Sequence, residues 1–225
     1  VIKPARPRKP RRPGRPTQAT NSDMREQVLD AAIALFVERG VIATTLRAIA
    51  TQAGVTPALL HYYFGSKDSM VEALLEQRIA PFIAISIAPL RMPAKSPRAA
   101  LLAFLEGHMR NIAAHPWLPR LMVREVLSEG GVLRERIIKQ FSGTIAKGLL
   151  RLIEQAQALG EIRADLDPRL LSLSLVSLAV FPFATAPIWR DVFKASKNQI
   201  DAEHLIAHTL VLVRGMLEKK RAKAS

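Results

Sequence analysis

The sequence predicts an all-α fold: a small N-terminal three-helix unit and a larger C-terminal helical domain. Three observations predict it. Apolar residues recur at spacings of three, four and seven along most of the chain, and no window alternates with period two. Ser, Thr or Asp followed by Pro, and Gly at the far end, punctuate these stretches in the order in which helices start and stop. Hydrophobic residues make up 49% of the 225, enough for an extended core.

Residues 1–22 read as a flexible basic arm. Seven cations and no acid fall there, half of the formal net charge of +14. Lys3, Arg6, Lys9, Arg12 and Arg15 each precede a proline, with period three. A polyproline II ribbon has three residues per turn, so it would stack these cations in one column, about 9 Å apart. Gly14-Arg15-Pro16 resembles the Gly-Arg-Pro core of AT-hook motifs. The arm has two readings: a solvated tail in the free protein, and, on DNA, a ribbon placing Arg12 and Arg15 in a minor groove or on phosphates.

Residues 23–69 read as a compact helical unit. Leu29, Ala32, Ile33 and Phe36 make an amphipathic stripe, with Ser22 or Asp23 as its cap and Gly40 as its end. Thr45 caps a short second helix carrying Leu46, Ile49 and Ala50. Ala53-Gly54-Val55 is a tight turn, and Gly54 supplies positive φ. Thr56-Pro57 is an N-cap followed by proline at the first helical position, so a third helix runs to Phe64. Gly65 ends it and Ser66 caps a fourth beginning at Lys67. Leu60 and Phe64, four residues apart, are its core residues. Two short helices joined by a Gly-containing turn form a helix-turn-helix.

Residues 70–225 read as helices throughout. The helix from Lys67 is expected to reach Pro81. Ser96-Pro97 opens the next, which His115-Pro116 ends. A short helix follows to Ser128, Gly130-Gly131 breaks the chain, and Val132–Leu159 is a long amphipathic helix. Asp167-Pro168 opens an apolar helix that Pro182 and Pro187 kink or stop. A last helix starts at Asp201. It carries one stripe of Ile206, Leu210, Val213 and Leu217 and a second of Leu205, Leu212 and Met216. One stripe covers the core; the other covers a second subunit, or lies buried if the protein is a monomer.

Composition narrows function. The excess of 33 Lys and Arg over 19 Asp and Glu points to a polyanion. With no cysteine, disulfides, cysteine zinc sites, iron–sulfur clusters and thiol catalysis are excluded. No Gly-x-Ser-x-Gly, phosphate-binding loop or dinucleotide fingerprint is present, so the chain does not read as an enzyme, and no cofactor is expected. His204 and His208 have metal-pair spacing, but no carboxylate pair completes a site. No apolar signal region follows the basic start, and Leu170–Phe183 is short and interrupted by serines. A cytoplasmic protein that does not engage a membrane is expected.

Three motifs carry a resemblance: Ala43-Thr44-Thr45-Leu46-Arg47-Ala48-Ile49-Ala50, Ala53-Gly54-Val55-Thr56, and Leu60-His61-Tyr62-Tyr63-Phe64-Gly65-Ser66-Lys67. In this order, after an amphipathic helix, they resemble the DNA-binding domain of the TetR family of bacterial transcription regulators. The resemblance implies phosphate or base contact at Thr45, Arg47, Thr56, Pro57, Ala58, His61, Tyr62, Tyr63 and Lys67. It also implies a homodimer, a palindromic operator in double-stranded DNA, and a small-molecule effector that releases the DNA. His61 stands where the family often has Tyr, which makes affinity a candidate for pH dependence. Thr45 and Thr56 also read as plain caps, and Tyr63 as partly core. For a largely apolar effector the candidate contacts are Phe104, His108, Met109, Trp117, Met122, Phe141, Phe181, Phe183 and Trp189, with His108 as the orienting polar group. Each of these also reads as core. The alternative function is a nonspecific architectural DNA-binding protein driven by the basic arm.

Overall fold

The computed structural model describes residues 18–91, 95–193 and 200–218, with side chains from residue 23 onward except those of 141 and 142. Arg12 and Arg15, and the side chain of Phe141, lie outside the described residues. All regular elements among the described residues are helical. The N-terminal unit is α1 (Gln18–Arg39), α2 (Leu46–Gln52), α3 (Pro57–Phe64) and α4 (Lys67–Leu74). Its core is Leu29, Ala32 and Phe36 from α1, Ile49 and Ala50 from α2, Leu60 and Phe64 from α3, and Met70 and Leu74 from α4, all buried. The caps are those the sequence predicts: Thr45 Oγ1 accepts from the Ala48 N–H at 3.1 Å, Thr56 Oγ1 from Leu59 at 3.2 Å, and Ser66 Oγ from Ser69 at 3.1 Å. Gly54 sits at φ +65°, where a side chain would strain the backbone.

Helix α1 departs from expectation by running back through Ser22 and Asp23 to Gln18. Gln18–Ser22 contains neither Pro nor Gly, and extending a helix costs far less than nucleating one. The helix from Lys67 also does not stop at Pro81. It passes through a π-helical turn, Leu75–Ile79, into α5 (Ala80–Arg91). Proline removes one donor and crowds the carbonyl four residues earlier, here that of Gln77. The wider turn relieves the crowding, and Arg78 Nη1 lies 3.5 Å from the Gln77 oxygen. The combined helix is long and apolar enough to cross a membrane, but α5 lays Phe82, Ile83, Ile87 and Leu90 into the protein core.

Helix α6 (Pro97–Ala114) is the axis of the larger part. It packs against α5, α9 (Gly143–Ala158), α10 (Pro168–Ala184) and α12 (Ala202–Leu217). Between α6 and α9 lie α7 (Trp117–Met122), continued by a π-helical turn Val123–Leu127, and α8 (Arg134–Ile137), joined to α9 by another, Ile138–Ser142. Pro182 stays inside α10. The chain bends by 63° where α10 meets α11 (Ala186–Val192). Two carbonyls at this bend are satisfied by side chains: Thr185 Oγ1 donates to Phe181 O at 2.9 Å and the Trp189 indole to Pro182 O at 2.6 Å.

One polar cluster interrupts the α5–α6 seam. The Asn111 amide donates to Phe82 O at 2.8 Å and to Ser86 Oγ at 2.9 Å, and His108 Nδ1 lies 2.9 Å from the same hydroxyl. The His108 ring stacks on Phe104 with centroids 5.3 Å apart. Burial pushes His108 down from the usual 6.5 to about 4. The neutral ring therefore belongs to the folded state, and below about pH 6.5 the unfolded chain binds a proton that the native chain refuses. Stability is full above pH 6.5 and falls by about 3 kcal/mol as pH drops toward 4. Urea titrations at pH 7 and 4.5 check this: His108→Gln should flatten the loss, and an equally steep loss in that variant would contradict it.

Candidate nucleic-acid interface

The turn between α1 and α2 sets where the second helix begins. Gly40 opens it at φ +88°, and a Cβ there would stand 3.0 Å from Glu125 Oε1 and 3.2 Å from Arg124 Nε. Thr44 is buried, its hydroxyl donating to Gly40 O at 2.7 Å. The Lys67 ammonium, at the start of α4, donates to three carbonyls of this turn: Val41 at 3.0 Å, Ile42 at 3.1 Å and Thr44 at 3.2 Å. From the far side the buried Glu125 carboxylate accepts the Val41 N–H at 2.9 Å. The turn ends at Thr45, which caps α2.

Pro57, Ala58, His61 and Tyr62 are exposed on α3, whose opposite side, Leu60 and Phe64, is buried. Tyr62 is 78% exposed and meets half-buried Tyr63 edge-on, with ring centroids 5.5 Å apart. Thr45 and Arg47 of α2, and Thr56 at the head of α3, are exposed too. Both threonines accept from the backbone, so their own O–H remains available to donate to a phosphate; capping and phosphate contact use different atoms. Pro57 and Ala58 offer only apolar contact, of the kind a thymine methyl accepts. Lys67 stands apart. Its three hydrogens are spent on the turn, so it contributes positive field and turn geometry before any direct contact. His61 Nδ1 sits 2.7 Å from Gly65 O. A carbonyl only accepts, so Nδ1 carries the proton and the outward Nε2 is an acceptor in the neutral ring.

Among the described residues none of the effector candidates lines the α5–α9 cleft, and they differ in exposure. Phe104 and Met109 are fully buried in the α6 core, and His108 belongs to the polar cluster. Trp117, Met122, Phe183 and Trp189 are half-buried, while Phe181 is 66% exposed on α10. His204 of the metal-spaced pair holds Asp201, the α12 cap, at 2.9 Å. Two features were missed by sequence reasoning. Glu125 follows Leu118 and Leu121 on one stripe, so an acid at an apolar position was its signal. The second is this cleft between α5 and α9, lined by Ile87, Leu90, Arg91, Thr144, Lys147, Gly148 and Arg151.

Residues 28–74 match the family model for bacterial regulatory proteins of the TetR family, and residues 97–213 match that for the tetracyclin repressor-like C-terminal domain. The chain belongs to the TetR family. It is 30% identical over 159 residues to the HTH-type transcriptional repressor NicS of Pseudomonas putida, covering 70% of this chain and 74% of that one. The fold is shared with the ketosteroid transcriptional regulator KstR2 of Mycobacterium tuberculosis (TM-score 0.69, 23% identity, covering 87% of this chain and 95% of that one). It is shared also with the transcriptional regulator FadR of Bacillus subtilis, solved with stearoyl-CoA (TM-score 0.62, 22% identity, covering 85% and 97%). The relatives of this TetR-family chain are transcription regulators, not enzymes, and the chain is a DNA-binding transcriptional regulator.

With Nδ1 committed to Gly65 O, only the outward Nε2 edge of His61 is left for a partner. His61→Ala, measured by fluorescence anisotropy at one fixed pH, should weaken DNA binding several-fold with the unfolding midpoint unchanged; undiminished affinity would contradict a contact from this side chain.

Proposed function

We propose that this chain acts in the cytoplasm as a homodimeric repressor that binds a palindromic operator and leaves it when a small molecule occupies the helical domain. The observation that carries the DNA half is the α3 face: Pro57, Ala58, His61 and Tyr62 stand exposed on a helix whose other side is sealed into the core. A helix entering the major groove needs such a face, with its first turn toward the bases. Thr45, Arg47 and Thr56 flank it as phosphate or base contacts, and Tyr63 and Lys67 support it. Arg12 and Arg15 add a minor-groove or phosphate contact from the arm.

The pairing half rests on α10 and α12. The stripe Ile206, Leu210, Val213 and Leu217 is buried within the chain, whereas Val211 is 64% and Leu212 49% exposed. On α10, Leu170, Leu173 and Phe181 are each more than 60% exposed. These exposed apolar side chains, grouped on two helices that touch, favour an interaction site. A second copy covers it symmetrically and sets two α3 helices about one DNA turn, or 34–36 Å, apart. Repression is favoured because the relative NicS is named a repressor. An effector with a large apolar part is favoured because FadR was solved with stearoyl-CoA.

Selection of bound duplexes from a random pool tests the reading. It predicts an inverted repeat with half-sites one helical turn apart. Leu173→Glu with Val211→Glu should sediment as a monomer and lose at least a hundredfold in affinity for the full repeat. Equal binding to every sequence would overturn it and favour a nonspecific architectural protein.

A further inference from the structure

The cleft between α5 and α9 is not the groove two apolar helices ordinarily leave. Thr144, Lys147, Gly148 and Arg151 fall at i, i+3, i+4 and i+7, so one stripe of α9 faces α5. That stripe is small or cationic and flanks the buried face of α9, which carries Leu149, Leu152, Ile153 and Ala156. Gly148 lets the helices approach: a Cβ there would stand 2.9 Å from Leu90 Cδ1. Ile87 and Leu90 of α5 form an apolar floor, and both are buried. Arg91, Lys147 and Arg151 line the mouth, and no acid joins them in the lining.

The three cations differ in how they are held. Arg151 Nη2 donates to Leu90 O at 3.0 Å, which fixes its guanidinium over the end of α5. Arg91 and Lys147 have no hydrogen-bond or ion-pair partner among the described residues. All three are exposed, so water screens their repulsion in the free chain, but no group of the lining offsets the charge. An anion does, and a planar guanidinium beside an ammonium matches the oxygens of a phosphate. The cavity of about 290 Å³ is at the small end of ligand sites, large enough for a head group and the start of an apolar chain.

We propose that this cleft binds an amphiphilic phosphate monoester, with its head group on Arg91, Lys147 and Arg151, the Thr144 hydroxyl at the side, and its chain against Ile87 and Leu90. The proposal deepens the effector reading above and rests on it for its regulatory consequence. Helix α5 is continuous with α4, which carries Lys67, the residue that pins the turn ahead of α2. A ligand wedged between α5 and α9 therefore acts on the helix that positions the reading head.

Isothermal titration of the full chain with decyl phosphate, decanoate and decyl maltoside, below their micellar concentrations, tests the site. Decyl phosphate should saturate at one molecule per chain, with decanoate at least fivefold and the neutral maltoside at least tenfold weaker. Arg91→Gln with Lys147→Gln should weaken decyl phosphate at least tenfold, and Thr144→Trp, which fills the cleft, should do the same. Both variants should keep the native unfolding midpoint within a few degrees. Decanoate binding as tightly as decyl phosphate overturns the phosphate assignment. Absent saturable binding, or undiminished binding in both variants, overturns the site and leaves the dimeric repressor standing. Decyl phosphate should also lower DNA affinity in the native chain and not in the double variant; bound ligand with unmoved DNA affinity overturns the regulatory role alone.

Discussion

The structure depends on how the turn at residues 40–44 is held. Its backbone carbonyls would have no helical partners, and its Val41 N–H faces the interior. Lys67 takes three of those carbonyls and Glu125 takes the N–H. The buried Val41 N–H left unpaired would cost about 1–3 kcal/mol, while the carbonyls held by Lys67 are part-buried or exposed and would cost less. Because Thr45 caps α2 at the end of this turn, and α2 carries α3 through the Gly54 corner, the orientation of the exposed α3 face follows from it.

The two clamps come from opposite parts of the molecule. Lys67 begins the helix that runs on as α5 into the larger helical part, and Glu125 belongs to the π-helical turn after α7. Glu125 also accepts the Val132 N–H at 3.3 Å, which ties the α7–α8 loop to the same carboxylate. Arg136 of α8 reaches Asp68 of α4 at 3.2 Å and Glu72 at 3.5 Å, a half-exposed ion pair that adds register more than stability. The reading head is thus attached to the helical body through directed polar contacts. Such contacts have discrete arrangements, which suits the opposition of effector and DNA that we propose.

Much of this was legible in the sequence because the N-terminal unit is built from local signals. Thr45, Thr56-Pro57, Ser66 and Ser96-Pro97 cap helices by short-range chemistry, and Gly54 is required by a local φ. Leu60 and Phe64 follow from a four-residue spacing, and the exposed residues of α3 follow from what that spacing leaves over. The failures came where distant partners decide. Pro81 was read as a stop because the π-helical turn that absorbs it has no sequence signature. For Lys67 the sequence offers a charge to the DNA backbone but gives no sign of its carbonyl partners, which lie 23 to 26 positions away. Phe104 and Met109 look the same in sequence whether they line a cavity or fill a core, and here they fill it. The α5–α9 cleft was invisible because cations on an amphipathic helix read as its solvated face.

The claim on which the regulator rests is that the outer face of α3 meets bases in the major groove. A duplex carrying 5-bromouracil places its bromine where the thymine methyl projects into that groove. Irradiating the full chain on such a duplex, then mapping the attached peptide, locates the contact directly. The account predicts attachment within residues 56–64, centred on Tyr62 and lost in Tyr62→Ala. Attachment confined to other segments, with 56–64 unmodified, would contradict it.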